Sequence, residues 1–157
     1  MNKAQILKII KDTLKRLDKK YYSNDAVNLI YNTGLVESNY KYLMQLGKPI
    51  ARGFFQMEGN TAIDICKNYL CHRPKLLTEI EEACFLNHYV LPTADKKDLE
   101  FLLTTNIAFS VIMCRMHYRR VPKPLPKTLK EQAFYWKTYY NTIYGKGTQE
   151  KFIEICK

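Results

Sequence analysis

The sequence predicts a single, mainly α-helical domain with a small irregular β element beside a cleft. Three observations predict it: apolar residues recur at helical spacing over most of the chain, Ser, Thr and Asp start signals punctuate those runs, and residues 39–56 lose the period and hold Gly47, Pro49 and Gly53. A length of 157 residues suits one domain, 1–157, and a domain of that size buries roughly 70% of its unfolded surface.

Taken in order, Ile6, Leu7, Ile9, Ile10, Leu14 and Leu17 with lysines between them predict an amphipathic helix over 3–18. Ser23 can cap a second helix running through Ala26, Val27, Leu29 and Ile30 towards Gly34 and Glu37. Tyr40–Leu46 and Ile50–Phe55 are candidates for short strands, in a two- or three-stranded element. Thr61 and Asp64 have capping-box spacing and predict a helix ending before Pro74, which itself opens the next one. That helix buries Leu76, Leu77, Ile80, Ala83 and Cys84, and Pro92 closes the segment. Thr93 or Asp95 caps a longer helical region reaching about Tyr118, with a possible break near Thr104 and Thr105. Pro122, Pro124 and Pro126 space an extended connector. Thr128 and Glu131 form a complete capping box for an aromatic-rich helix ended by Gly145 and Gly147, and a last helix starts near Gln149.

Composition excludes several function classes. With 46% hydrophobic and 25% charged residues and only six Gly and six Pro, the chain is neither disordered nor repetitive. The longest nearly uncharged stretch, 101–115, is too short and too polar to span a bilayer. Lysines interrupt the apolar residues at the N-terminus, so no secretion signal is expected there. Five cysteines, an odd number in apolar surroundings, suit reduced, buried thiols.

The net charge of +10 is concentrated at both ends: residues 1–22 carry seven bases against two acids, and residues 114–157 ten against three. An anionic partner is implied, and nucleic acid, an anionic membrane and a bacterial wall polymer all satisfy the charge. A solvated basic surface is the plain alternative. Cys71, His72, Cys84 and His88 could suggest zinc, but adjacent side chains on a helix diverge, so neither metal nor cofactor is expected. His117, among Arg115, Arg119 and Arg120, reads as part of the basic surface.

The informative segments are Gly34-Leu35-Val36-Glu37-Ser38, Gly53-Phe54-Phe55-Gln56-Met57-Glu58, Asn106-Ile107-Ala108 and Tyr140-Asn141 before Gly145 and Gly147. In this order they resemble the motifs of soluble lytic transglycosylases and goose-type lysozymes, and Ala51–Glu58 with Tyr135–Thr148 is similar to small bacteriophage members thought to act on peptidoglycan. The resemblance implies a lysozyme-like fold and cleavage of the MurNAc-GlcNAc β-1,4 bond. In that chemistry Glu37 acts as acid and then as base, while the sugar's own 6-hydroxyl closes a 1,6-anhydro ring. It implies a protein made in a bacterial host and brought to the wall by a virion, or released through a phage membrane pore. Glycan strands are then the partner, with other virion proteins possible and nucleic acid secondary.

Physical chemistry supports Glu37 independently. Breaking a glycosidic bond needs a carboxylic acid kept neutral in an apolar pocket, which Leu35, Val36, Phe54 and Phe55 could supply. A charged glutamate at a helix C-terminus is otherwise poorly placed against the dipole. Ser38 could orient Glu37, bind sugar or serve as a turn residue, and Gln56 could present its amide to the sugar or serve only the backbone. The resemblance sends Tyr140 towards Glu37 and Asn141 towards an N-acetyl group, while an aromatic core helix is the alternative for both. The family's Gln-x-Met-Pro-x-Thr run appears here as Gln56-Met57-Glu58-Gly59-Asn60-Thr61, which adds a carboxylate at Glu58 and removes the proline. Glu58 could position a water and make the enzyme a hydrolytic lysozyme, or merely support a helix start or Arg52. A non-enzymatic, basic virion or nucleic-acid-binding protein is the remaining alternative.

Overall fold

The computed structural model describes all residues, Met1 to Lys157, and is mainly helical with one small two-stranded antiparallel sheet. Helix α1 (Lys3–Leu14) buries Ile6, Ile10, Thr13 and Leu14. It stops short of residue 18 because the backbone tightens into three-residue turns at Arg16 and Leu17, which still buries Leu17. Asp18 then caps a short turn, Lys19–Tyr21. Helix α2 (Asn24–Ser38) starts where Ser23 Oγ accepts the Ala26 amide and ends at Asn39 in the left-handed conformation.

The β element is smaller than the sequence suggests. Strands β1 (Ala51–Arg52) and β2 (Met57–Glu58) pair antiparallel, and Met44 adds a single bridge to Arg52. Residues 45–50, with Gly47 and Pro49, are exposed and form no ladder. Helix α3 (Gly59–Asn68) begins two residues before Thr61, with Glu58 in the N-cap position. The expected Thr61–Asp64 cap is therefore absent, and Asp64 bonds Asn68 and Arg120 instead.

Pro74 opens α4 (Pro74–Ala83) as its sequence position predicts. Pro92 does not close the next segment but lies within a single turn, α5 (Val90–Thr93), where the missing N–H costs nothing. Asp95 and Asp98 form a capping box for α6 (Lys96–Thr105). The break before α7 (Ile107–Arg119) falls at Asn106, which caps the new helix by accepting the Phe109 amide and donates to the Cys84 carbonyl. The two helices are bent by 112°, and no single helix is long and apolar enough to cross a membrane. After the proline connector, the Thr128–Glu131 box starts α8 (Leu129–Trp136), a wide turn covers Lys137–Asn141, and Thr148 caps α9 (Gln149–Cys156). The helical path is broken at Thr142, where φ is 64°, before either glycine.

Helix α7 is the axis of the fold. Phe109, Ile112, Met113 and Met116 face one apolar cluster with Ile65, Leu70 and Ile80, while Val111, Cys114 and Tyr118 face another with Ile10, Leu14 and Ile30. The helix is buried on nearly all sides along the apolar run Val111–Cys114, and it takes Ser110 and Arg115 into the interior with it. Three of the cysteines, Cys66, Cys84 and Cys114, are buried, whereas Cys71 is exposed and Cys156 half-buried, and none is paired.

Packing at the end of α2 depends on Gly34. A methyl group there would stand 2.4 Å from the Tyr40 ring, which is buried and donates its hydroxyl to the Tyr31 carbonyl. Gly34→Ala is expected to destabilise the protein by about 1–3 kcal/mol, read as a melting temperature several degrees lower. A variant as stable as the parent would contradict this packing.

Candidate active site

Glu37 sits in the last turn of α2, half-buried, at one edge of a cleft of about 660 Å³. Residues 42–58 contribute Tyr42, Gln56 and Glu58 to the lining, residues 140–146 contribute Tyr140, Asn141 and Tyr144, and α7 contributes His117. Of the 128–147 segment, only its second half reaches the cleft.

Three carbonyls of the turn at Gly53–Gln56 hold the walls together. Ser38 Oγ donates to the Phe54 carbonyl at 2.7 Å, and Tyr140 Oη donates to the Phe55 carbonyl at 2.7 Å. Gln56 Nε2 donates to the Gly53 carbonyl at 2.8 Å. Ser38 also accepts the Tyr40 amide and is 1% exposed, so it fixes the end of α2 and offers no hydroxyl to a cleft ligand. Tyr140 is likewise spent on the turn: it lines the cleft, but its hydroxyl does not go to Glu37.

The partner of Glu37 is Trp136, the only tryptophan in the chain, whose Nε1–H donates to Glu37 Oε1 at 2.9 Å. Trp136 is 1% exposed and packs against Phe152 and Ala133. Gly147 permits this, since a Cβ there would lie 2.4 Å from the indole ring. The sequence held a signal for Trp136: it precedes Tyr140 by four residues, a spacing that puts both on one helical face.

Asn141 lines the cleft with its Oδ1 held by Lys137 Nζ at 2.7 Å. The same ammonium is bonded to the Thr142 and Gly145 carbonyls, so one lysine orders the turn. His117 is not on a basic surface, as its neighbours in sequence suggest. It packs edge-on against Tyr140 and receives a hydrogen bond from Arg120 Nη2 at its Nδ1. Because arginine only donates, Nδ1 is unprotonated and the neutral ring carries its proton on Nε2. Glu58 lines the cleft too, but its side chain makes no cap bond to α3, and Arg52 turns to Glu100 rather than to Glu58.

Burial raises the Glu37 carboxyl to about 7, against the opposing effect of the Trp136 hydrogen bond. Burial, reinforced by the Arg120 charge, lowers His117 to about 4. The cleft thus contains both a carboxylic acid that keeps its proton towards neutrality and an imidazole that is uncharged there, a state suited to proton donation. No group of three His, Cys, Asp or Glu side chains converges as a metal-binding set. Comparison with family models, curated proteins and solved structures finds no match for this chain.

The raised Glu37 value has a consequence for stability. Between pH 4.5 and about 7 the folded state keeps a proton that the unfolded chain has lost, so the stability contributed by this group is complete below 4.5 and falls as pH rises through 7. Glu37→Gln abolishes that loss while retaining an oxygen for Trp136. Relative to the parent, it is expected to gain on the order of 3 kcal/mol between the acid and alkaline ends of that window, measured by denaturant unfolding at a series of pH values. A constant difference across the window would contradict the burial of this carboxyl.

Proposed function

We propose that the protein is a peptidoglycan lytic transglycosylase acting on the MurNAc-GlcNAc β-1,4 bond, with Glu37 as the sole acid and base. The observation that carries this reading is the Glu37 carboxyl itself, open to the cleft, protonated to about pH 7 and steered by Trp136. Its proton passes to the glycosidic oxygen as the C1–O bond breaks, leaving an oxocarbenium-like sugar and a carboxylate. That carboxylate then takes the proton from the sugar's 6-hydroxyl as its oxygen bonds to C1, giving a 1,6-anhydro end and returning Glu37 to its acid form. Neither metal nor water enters this sequence. Gln56 and Asn141, which line the same cleft as Glu37, are amides suited to an N-acetylated sugar, and Tyr42 and Tyr144 offer rings for sugar faces. The resemblance of Ala51–Glu58 and Tyr135–Thr148 to small bacteriophage proteins is the support for delivery by a virion or through a phage pore as part of the same proposal.

Glu58 gives a second reading a specific basis. It is an exposed carboxylate in the cleft with no side-chain cap bond, so it could orient a water and make the reaction hydrolytic. Mass analysis of muropeptides from purified peptidoglycan separates the two, because an anhydro end is lighter by one water than a reducing end. The expected result is anhydro ends from the parent and from Glu58→Gln, and loss of at least about a hundredfold in rate for Glu37→Gln. Reducing ends, abolished by Glu58→Gln, would establish the lysozyme reading. Undiminished turnover in Glu37→Gln would overturn both.

A further inference from the structure

A second pocket, of about 750 Å³, opens where the Lys19–Tyr21 turn, the start of α4, the end of α7 and the proline connector meet. Lys20, Arg73, Lys75, Arg119, Arg120 and Lys123 line it. The two basic ends noted in the sequence are thereby brought together, Lys20 from the first and Arg119, Arg120 and Lys123 from the second. We propose that this pocket binds the phosphodiester backbone of a base-free polyol-phosphate chain, the chemistry of an anionic wall polymer such as poly(glycerol phosphate). The site is separate from Glu37, and the choice of a wall polymer over another base-free phosphodiester rests on the proposed wall-cleaving function.

Ion pairing leaves the charge available. Of the six cations only Arg120 is in an ion pair, with Asp64. The pocket's two carboxylates are committed to main chain: Glu79 accepts the Asp18 amide, and Asp18 accepts the Lys20 amide at 3.0 Å. They order the turn that presents Lys20, and although Asp18 offsets part of the charge of Lys20 and Lys75, the pocket still sets two acids against six bases. Beneath Tyr21, Arg115 is 3% exposed, gives its Nε–H to the Tyr21 carbonyl at 2.9 Å and has no partner at Nη1, which adds a fixed positive charge behind the wall. Guanidinium forks and ammonium groups arrayed on four chain segments suit the several acceptor oxygens of successive phosphates better than a single carboxylate.

Aromatic geometry selects against single-stranded nucleic acid held by base stacking. The two tyrosines of the pocket are covered by cations: Arg73 lies 3.8 Å from the Tyr69 ring centre, and Lys20 and Arg119 lie 5.3 and 5.4 Å from that of Tyr21. A strand carrying bases would need open aromatic faces on which to stack. A polyol-phosphate chain needs only the cations.

The test is binding of labelled poly(glycerol phosphate) to the full chain, followed by fluorescence polarisation at rising salt. Lys20→Gln/Lys75→Gln/Lys123→Gln, all exposed positions, is expected to weaken binding at least about tenfold and flatten its salt dependence. Lys3→Gln/Lys8→Gln/Lys11→Gln, which removes the same charge from α1, should stay within about twofold of the parent. Glu37→Gln should bind as the parent does, so that binding and cleavage are scored separately. Absence of binding, equal losses in the two triple variants, loss in Glu37→Gln, or tighter binding of a single-stranded oligonucleotide of equal charge would each overturn the proposal.

Discussion

Holding one half-buried carboxyl at the C-terminal end of a helix is the constraint around which this structure is arranged. Glu37 occupies the last turn of α2, where the helix dipole already disfavours negative charge, and burial adds to that effect. An acid in that position needs a donor that does not bring a positive charge, and the indole of Trp136 supplies one. The indole can reach Glu37 only because α8 and α9 close over Phe152 and because Gly147 leaves room for the ring. The turn at Gly53–Gln56 completes the arrangement, since its carbonyls receive Ser38 from one wall and Tyr140 from the other.

His117 balances this acid in a way that distance along the chain conceals. Its neutral form is favoured by burial and by Arg120, so its contribution to stability is complete above 6.5 and is lost as pH falls towards about 4. The Glu37 contribution runs in the opposite direction, falling as pH rises from 4.5 to about 7. Through the interval where both apply, the folded state holds one proton that the unfolded chain lacks and lacks one that the unfolded chain holds. The two slopes oppose each other, and the cleft combines an acid and an uncharged imidazole without a steep dependence of folding on mildly acidic pH. Arg120 is the structural link, bonded to His117 and Asp64 and also lining the basic pocket.

Much of the fold was legible because it rests on local rules. The caps at Ser23, Asp95 and Thr128, the proline at the start of α4 and the period-breaking stretch around Gly47 and Pro49 each act over a few residues. Failures came where tertiary packing overrode a local signal. Thr61 and Asp64 had the spacing of a cap, yet strand pairing of Glu58 with Ala51 starts α3 earlier and an ion pair claims Asp64. At the site, Glu37 could be read from its residue type and its position at a helix end. Ser38 and Tyr140 could not be resolved, because both bond to backbone carbonyls of a distant turn and no side-chain pattern announces that. The sequence misplaces His117 because its neighbours are basic: Arg120 does bond the ring, but the ring packs against Tyr140 and lines the cleft.

Whether Glu37 holds its proton near neutrality is read most directly by titrating its side-chain carboxyl carbon with nuclear magnetic resonance. With the resonance assigned by its absence in Glu37→Gln, the expected midpoint is near 7, and a midpoint near the ordinary 4.5 would show that Glu37 is an ordinary exposed carboxylate and not a buried acid.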